Sequence, residues 1–129
     1  MVYQGLFVLS GRRQFAVILG DSEMISTISN KATFYHIDAT FGVVPGHIKV
    51  LQVRSSQVLN IVADYGGATV SVFTIIMSCR KVDMYRKIFN LIKTKFPEFA
   101  PKTVMADWEV SLRKAVGNAY PETRLAGCL

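Results

Sequence analysis

The residues best suited to chemistry are two aspartates, Asp38 and Asp107, each set against a run of apolar residues. Asp38 lies between Ile37 and Ala39, with Phe41 following, in a stretch that reads as a strand. A carboxylate in the middle of such a strand is costly to desolvate unless it is paired or holds a metal. Asp107 closes the short apolar run Thr103-Val104-Met105-Ala106, just where a helix is about to begin. Two acids on neighbouring strands, aimed at one edge of a sheet, form an oxygen-rich site suited to Mg²⁺ or Mn²⁺. Two such ions activate a water or hydroxyl and stabilise the leaving oxygen in phosphodiester cleavage. Each acid also has a plainer reading. Asp107 can cap the helix that follows, and Asp38 can pair with a buried Lys or His.

The elements that must position these acids follow from periodicity. Leu6 to Leu9 and Phe15 to Leu19 are apolar runs joined by Ser10-Gly11-Arg12-Arg13, which predicts a hairpin. Asp21-Ser22-Glu23 opens a short helical segment with Met24, Ile25 and Ile28 at helical spacing. Phe34 to Val44 is a predicted strand, stopped near Pro45-Gly46. His47 to Val53 and Val58 to Asp64 read as further strands. Gly66-Gly67 breaks the chain before a strongly apolar strand from Thr69 to Ser78. The period then changes to that of a helix. Asp83 is the expected N-cap, and Tyr85, Ile88, Phe89, Ile92 and Phe96 make one apolar stripe, with Lys87, Lys93 and Lys95 largely on the other side. Pro97 ends that helix. A helix from Glu109 to Ala119 follows the Asp107 strand, with Leu112, Ala115, Val116 and Ala119 inward and Arg113 and Lys114 outward. Arg124 to Leu129 is a last strand. Strands, then helix, strand, helix, strand give an α/β fold with a mixed sheet and helices packed on its faces.

The same residues carry a family resemblance. Ile37-Asp38-Ala39-Thr40-Phe41, with Pro45 shortly after, resembles the hydrophobic-Asp-Gly-Thr-Phe signature around the first catalytic Asp of Mutator-like (MULE) transposases. Val104-Met105-Ala106-Asp107-Trp108-Glu109, followed by Leu112, Ala115-Val116 and Tyr120-Pro121, is similar to the second block of that family. Met77-Ser78, Tyr85, Ile88-Phe89 and Leu91 resemble the helix between the blocks. Gly127-Cys128 is similar to the start of a Cys-x-x-His motif. The match runs from about Phe34 to the last residue, within what reads as a single domain over residues 1–129.

The resemblance implies an RNase H-like fold, incomplete at its C-terminus, and the chemistry of a DDE-type DNA transposase. Asp38 and Asp107 would be catalytic and metal-holding residues, with Mg²⁺ or Mn²⁺ as cofactor, DNA as partner and the nucleus as compartment. Full-length relatives cut DNA at element ends and join the freed 3′ hydroxyl to target DNA. Ala39 stands where the family has Gly, and the third acid and the His of Cys-x-x-His are not met before Leu129. The chain alone is therefore expected to have little or no strand-cleavage activity. Glu109 is not the missing acid, because the family has a Glu there beside a complete triad. A different class of function is also open: a domesticated, non-catalytic transposon-derived module that binds DNA or protein. A nuclease of the same fold unrelated to transposition is a third and weaker reading. A homo-oligomer and further domains outside this chain fit either of the first two.

Other residues also have readings of their own. Arg80-Lys81 could hold a DNA backbone, with an ordinary solvated helix face as the alternative. Trp108 could stack on a base or pack at a helix start. His36 shares the strand face of Asp38 and reads as a hydrogen-bonded strand histidine or a support to the metal site. Asp64 reads as a turn acid, His47 as a loop residue. Cys79 and Cys128 make no disulfide framework, and Cys128 reads as a small buried residue. Half of the residues are hydrophobic and 19% charged, which excludes a disordered chain. The net charge is +6, and ten of the fifteen Lys and Arg fall between Arg80 and Arg124, a balance compatible with a phosphate partner. No apolar run reaches the roughly 18 residues of a membrane span. The N-terminus lacks a signal-peptide pattern, so an intracellular protein is expected.

Overall fold

The computed structural model describes residues 2–9, 14–41, 57–78, 81–107 and 109–127. A hairpin opens the chain. Strands β1 (Val2–Leu9) and β2 (Gln14–Asp21) pair antiparallel along their whole length. Helix α1 (Ser22–Ser29) follows at once, because the Asp21 carboxylate accepts from the backbone N–H groups of Glu23 and Met24 at 3.0 and 3.2 Å. Strand β3 (Phe34–Phe41) leads to β4 (Gln57–Tyr65), and β5 (Ala68–Met77) comes back beside it. Both residues of the β4–β5 turn have positive φ, Gly66 at 59° and Gly67 at 82°, where a side chain would strain the backbone. The stretch from 42 to 56 lies outside the described residues, and so do the expected strand His47 to Val53, Pro45 and His47 itself.

Helix α2 (Val82–Lys95), strand β6 (Thr103–Ala106), helix α3 (Val110–Ala119) and strand β7 (Arg124–Gly127) complete the order. The strands form one seven-stranded mixed sheet in the order β1-β2-β5-β4-β3-β6-β7. Pairing is antiparallel from β1 through to β3, then parallel from β3 to β6 and from β6 to β7. The two parallel pairs each need a crossover, and α2 and α3 supply the two helices for them.

Strand alternation sorts the side chains. Ala16 and Ile18 on β2, Phe73, Ile75 and Met77 on β5, Leu59 and Ile61 on β4, Tyr35 and Ile37 on β3, and Val104 and Ala106 on β6 all belong to one buried cluster. Ile25 and Ile28 of α1, Met84, Tyr85, Ile88, Phe89 and Ile92 of α2, and Leu112, Ala115, Val116 and Ala119 of α3 join the same cluster. The three described helices thus pack on a single face of the sheet, rather than on both as the sequence pattern suggested. Gly20 permits the closest approach of α1, since a Cβ there would stand 2.9 Å from Ile25 Cδ1 and 3.1 Å from the Val72 carbonyl.

Two helix starts differ from expectation. The N-cap of α2 is Lys81, and Asp83 sits in the first turn, where its charge opposes the positive helix end. The N-cap of α3 is Glu109, not Asp107, and it makes no side-chain capping bond. The apolar stripes decided these helices more than their caps did. None of the described helices is long and apolar enough to cross a membrane.

Candidate functional site

The parallel register between β3 and β6 ends at Ile37 opposite Ala106. The next residues along the two strands are Asp38 and Asp107. The two acids thus each lie one residue beyond the last paired couple of these adjoining strands, Asp107 just past the carboxyl end of β6. Both are exposed. Asp38 projects from the face opposite Ile37 and so opposite the helices. The expected desolvation cost at Asp38 is therefore absent: alternation turns it out of the core although its strand is apolar. It makes no ion pair or hydrogen bond among the described residues, so none of the described Lys or His residues pairs with it. Asp107 is engaged in an interaction of its own.

The carboxyl ends of parallel strands are where α/β sheets collect ligands. Two exposed carboxylates there offer the hard oxygen donors that Mg²⁺ and Mn²⁺ take. No group of three or more His, Cys, Asp and Glu able to hold a metal occurs among the described residues.

Around the pair, Arg113 departs from its expected outward position. Its guanidinium reaches over the strand ends and donates to the carbonyls of Ala106 at 3.4 Å and Ala126 at 3.2 Å. The residue whose carbonyl it holds on β6 is the one just before Asp107. His36 shares the Asp38 face and is half-buried, edge-on to Phe34 with centroids 4.9 Å apart; it makes no side-chain hydrogen bond among the described residues. Asp64 lies within β4, opposite Phe34 and Thr69, so it is a strand residue rather than a turn acid.

Glu109 is held elsewhere. The fully buried Tyr85 donates its hydroxyl to the Glu109 carboxylate at 3.1 Å and accepts from Gln57 Nε2 at 2.9 Å. Gln57 belongs to the helix-packed face of β4, opposite to the face of Asp38. This network was not foreseen, since it joins residues 57, 85 and 109, and only an isolated Gln at the head of an apolar strand could have signalled it.

Lys81 is exposed at the start of α2, as a phosphate contact requires. Arg80 and Trp108, its companions in the expected DNA interface, lie outside the described residues, as do Cys79 and Cys128. A groove of about 710 Å³ lies at the other end of the sheet, lined by Lys93, Phe99, Pro101, Lys102, Tyr120 and neighbours. Its loops precede β6 and β7, whereas the acids follow β6, so the sheet brings the groove and the acid pair to opposite ends. No protein-family model and no curated protein matches this sequence.

Proposed function

We propose that this chain is the front part of an RNase H-like DNA transposase catalytic domain of the Mutator-like type, with Asp38 and Asp107 as two of its metal-holding carboxylates. The observation that carries the reading is the place of the two acids, one step beyond the Ile37–Ala106 pair on adjoining parallel strands. The strand order supports it too. Three antiparallel strands, β5-β4-β3, lead into parallel β6 and β7 through two helices, an order compatible with the RNase H-like sheet that this reading expects. On this reading β1 and β2 extend the antiparallel side.

In such a site a bound Mg²⁺ or Mn²⁺ would activate the attacking hydroxyl and neutralise charge on a phosphodiester. On this reading the chain's own part is to present the two carboxylates from adjoining strands, one residue beyond their last paired couple. It would also bring a DNA backbone within reach through cations such as Lys81, with Arg80 beside it and Trp108 against a base. DNA is the partner and the nucleus the compartment that this reading implies. A third acid is not assigned among the 129 residues, so strand cleavage by this chain alone is not part of the proposal.

The test is a Mn²⁺ titration followed by amide line broadening, on the wild type, Asp38→Asn and Asp107→Asn. Broadening centred on both acids and lost in either variant supports the metal site. Saturation with no effect near either acid retires it. A second reading, a non-catalytic module that binds DNA, is favoured by the exposed cations Lys81, Lys87 and Lys95 along α2. Under that reading DNA binding falls with salt and is indifferent to both Asp→Asn changes.

A further inference from the structure

Helix α2 leads from β5 to β6 and α3 from β6 to β7, strands that all point one way, so the two helices run parallel. Their inner stripes are apolar and their outer sides are basic. Six of their residues are Lys or Arg and one, Asp83, is acidic. Asp83 stands 3.9 Å from Arg86 with both side chains exposed, an arrangement that holds an ion pair only weakly. Glu109, at the head of α3, is bonded to Tyr85.

The outer residues of the two helices form a matched pattern. Arg86 is the fifth residue of α2 and Lys114 the fifth of α3, and an asparagine follows each by four residues, Asn90 and Asn118. Residues so spaced share a helix face, about 6 Å apart along the axis. All four are exposed, as is Lys87 beside Arg86. Lys93, seven residues beyond Arg86 and so on the same side of α2, donates to the Ala119 carbonyl of α3 at 2.7 Å. The Arg86–Asn90 side of α2 is therefore the side next to α3. Two rows, each a cation followed by an amide, run along neighbouring helices.

We propose that the outer face of α2 and α3 is a docking surface for the sugar–phosphate backbone of duplex DNA. Arg86, Lys87 and Lys114 neutralise phosphates, and Asn90 and Asn118 donate to phosphate oxygens. Charge complementarity carries the choice of partner: six bases against one acid suit a regular array of negative charge. Amide side chains are also established donors to phosphate. An anionic membrane fits less well, because the exposed residues of α2 are all polar and α3 exposes one large apolar side chain, Val110. A helix is about 10–12 Å across and packed axes lie about 8–10 Å apart, so the pair is too broad for a major groove about 12 Å wide. The contact is therefore with the backbone and independent of sequence. The proposal takes from the readings above only that the partner is DNA. It lies on the helix side of the sheet, away from the face of Asp38, and needs no metal.

The test is binding of the whole chain to a random-sequence duplex of about 20 base pairs, followed by fluorescence anisotropy between about 50 and 200 mM salt. Arg86→Gln, Lys87→Gln and Lys114→Gln together are expected to weaken binding at least about tenfold. The slope of log affinity against log salt should fall by about 2.7, or about 0.9 for each of three lost contacts. Asn90→Ala with Asn118→Ala is expected to weaken binding without changing the slope, since amides release no counterions. Lys31→Gln, Lys102→Gln and Arg124→Gln remove the same charge from exposed positions just before β3 and at the heads of β6 and β7. That control is expected to change affinity by less than about threefold. All the substituted side chains are exposed, so the fold is retained, which amide spectra check. Equal losses in the two triple variants overturn the proposal, because net charge and not place then decides. Unchanged binding in the Arg86, Lys87 and Lys114 variant overturns it and leaves DNA as a partner elsewhere on the chain. A wild type that binds no duplex overturns the surface and the DNA reading together. Polyglutamate or phosphatidylserine vesicles bound as tightly as the duplex assign the face to another partner and overturn it too.

Discussion

The Tyr85 hydroxyl lies 3.1 Å from both carboxylate oxygens of Glu109. Through Gln57, which donates to the same hydroxyl, one side chain of α2 ties the head of β4 to the start of α3. The contact also explains a division of labour among the acids. Glu109 follows Asp107 by two residues, yet its carboxylate is engaged on the helix-packed face, while Asp38 stands on the other. Sequence proximity to Asp107 does not make Glu109 a member of the pair.

Tyr85→Phe is expected to destabilise the fold by about 1–3 kcal/mol, the range for a lost hydrogen bond to a charged or buried group. Tyr85 is fully buried and Gln57 is 1% exposed, so water cannot replace the bond without opening the core. Urea unfolding of the two proteins measures the difference. A change below about 0.5 kcal/mol would show that the network contributes little.

Asp38 and Ile37 are neighbours with opposite burial, and substitutions should separate them. Asp38→Asn alters an exposed side chain and is expected to change stability by less than about 0.5 kcal/mol. Ile37→Ala empties a position that is 3% exposed and is expected to cost about 2–4 kcal/mol. Urea midpoints check both. A large loss in Asp38→Asn would mean that the acid is a structural group.

Arg113→Met keeps most of the apolar stem of the side chain and removes the donors to Ala106 and Ala126. β7 has four residues and lies at the end of the sheet order, so it depends strongly on such ties. Amide exchange in Arg124–Gly127 is expected to speed up at least fivefold, corresponding to about 1 kcal/mol, with β4 unaffected. Equal acceleration throughout would mean a global effect.

Tyr120 is 7% exposed, and its hydroxyl makes no hydrogen bond among the described residues. Burial pushes its pKa well above the usual 10.0 and pushes that of Tyr35 the same way. The folded state thus holds the phenol proton more tightly than the unfolded state does. Stability from this source is complete below the unfolded pKa, near 10.0, and falls as the pH rises from there toward the folded value. Tyr120→Phe is expected to flatten that alkaline decline and to leave stability at pH 7 unchanged or slightly higher, because no bond is lost. Thermal unfolding across alkaline pH checks it, and an equally steep decline in the variant would assign the effect to other groups.

Much of this molecule was legible along the chain. The i, i+3, i+4 stripe of Tyr85, Ile88, Phe89 and Ile92 marked α2, and Gly66-Gly67 marked the turn between β4 and β5. Asp21 before Met24, Ile25 and Ile28 marked α1. Asp38 and Asp107 stood out as acids against apolar runs, and their strands were read with nearly correct limits. Thr74 and Asn60 are polar residues in apolar strands, and nothing local says that the Thr74 hydroxyl donates across to Asn60. Helical period, strand alternation and turn chemistry are properties of a few successive residues, so they survive in the order of the amino acids. Register between strands, the shared face of three helices, the exposure of Asp38 and the inward reach of Arg113 depend on residues far apart in sequence. Those were decided only when long-range packing chose which strand lies beside which, and which face of the sheet the helices would cover.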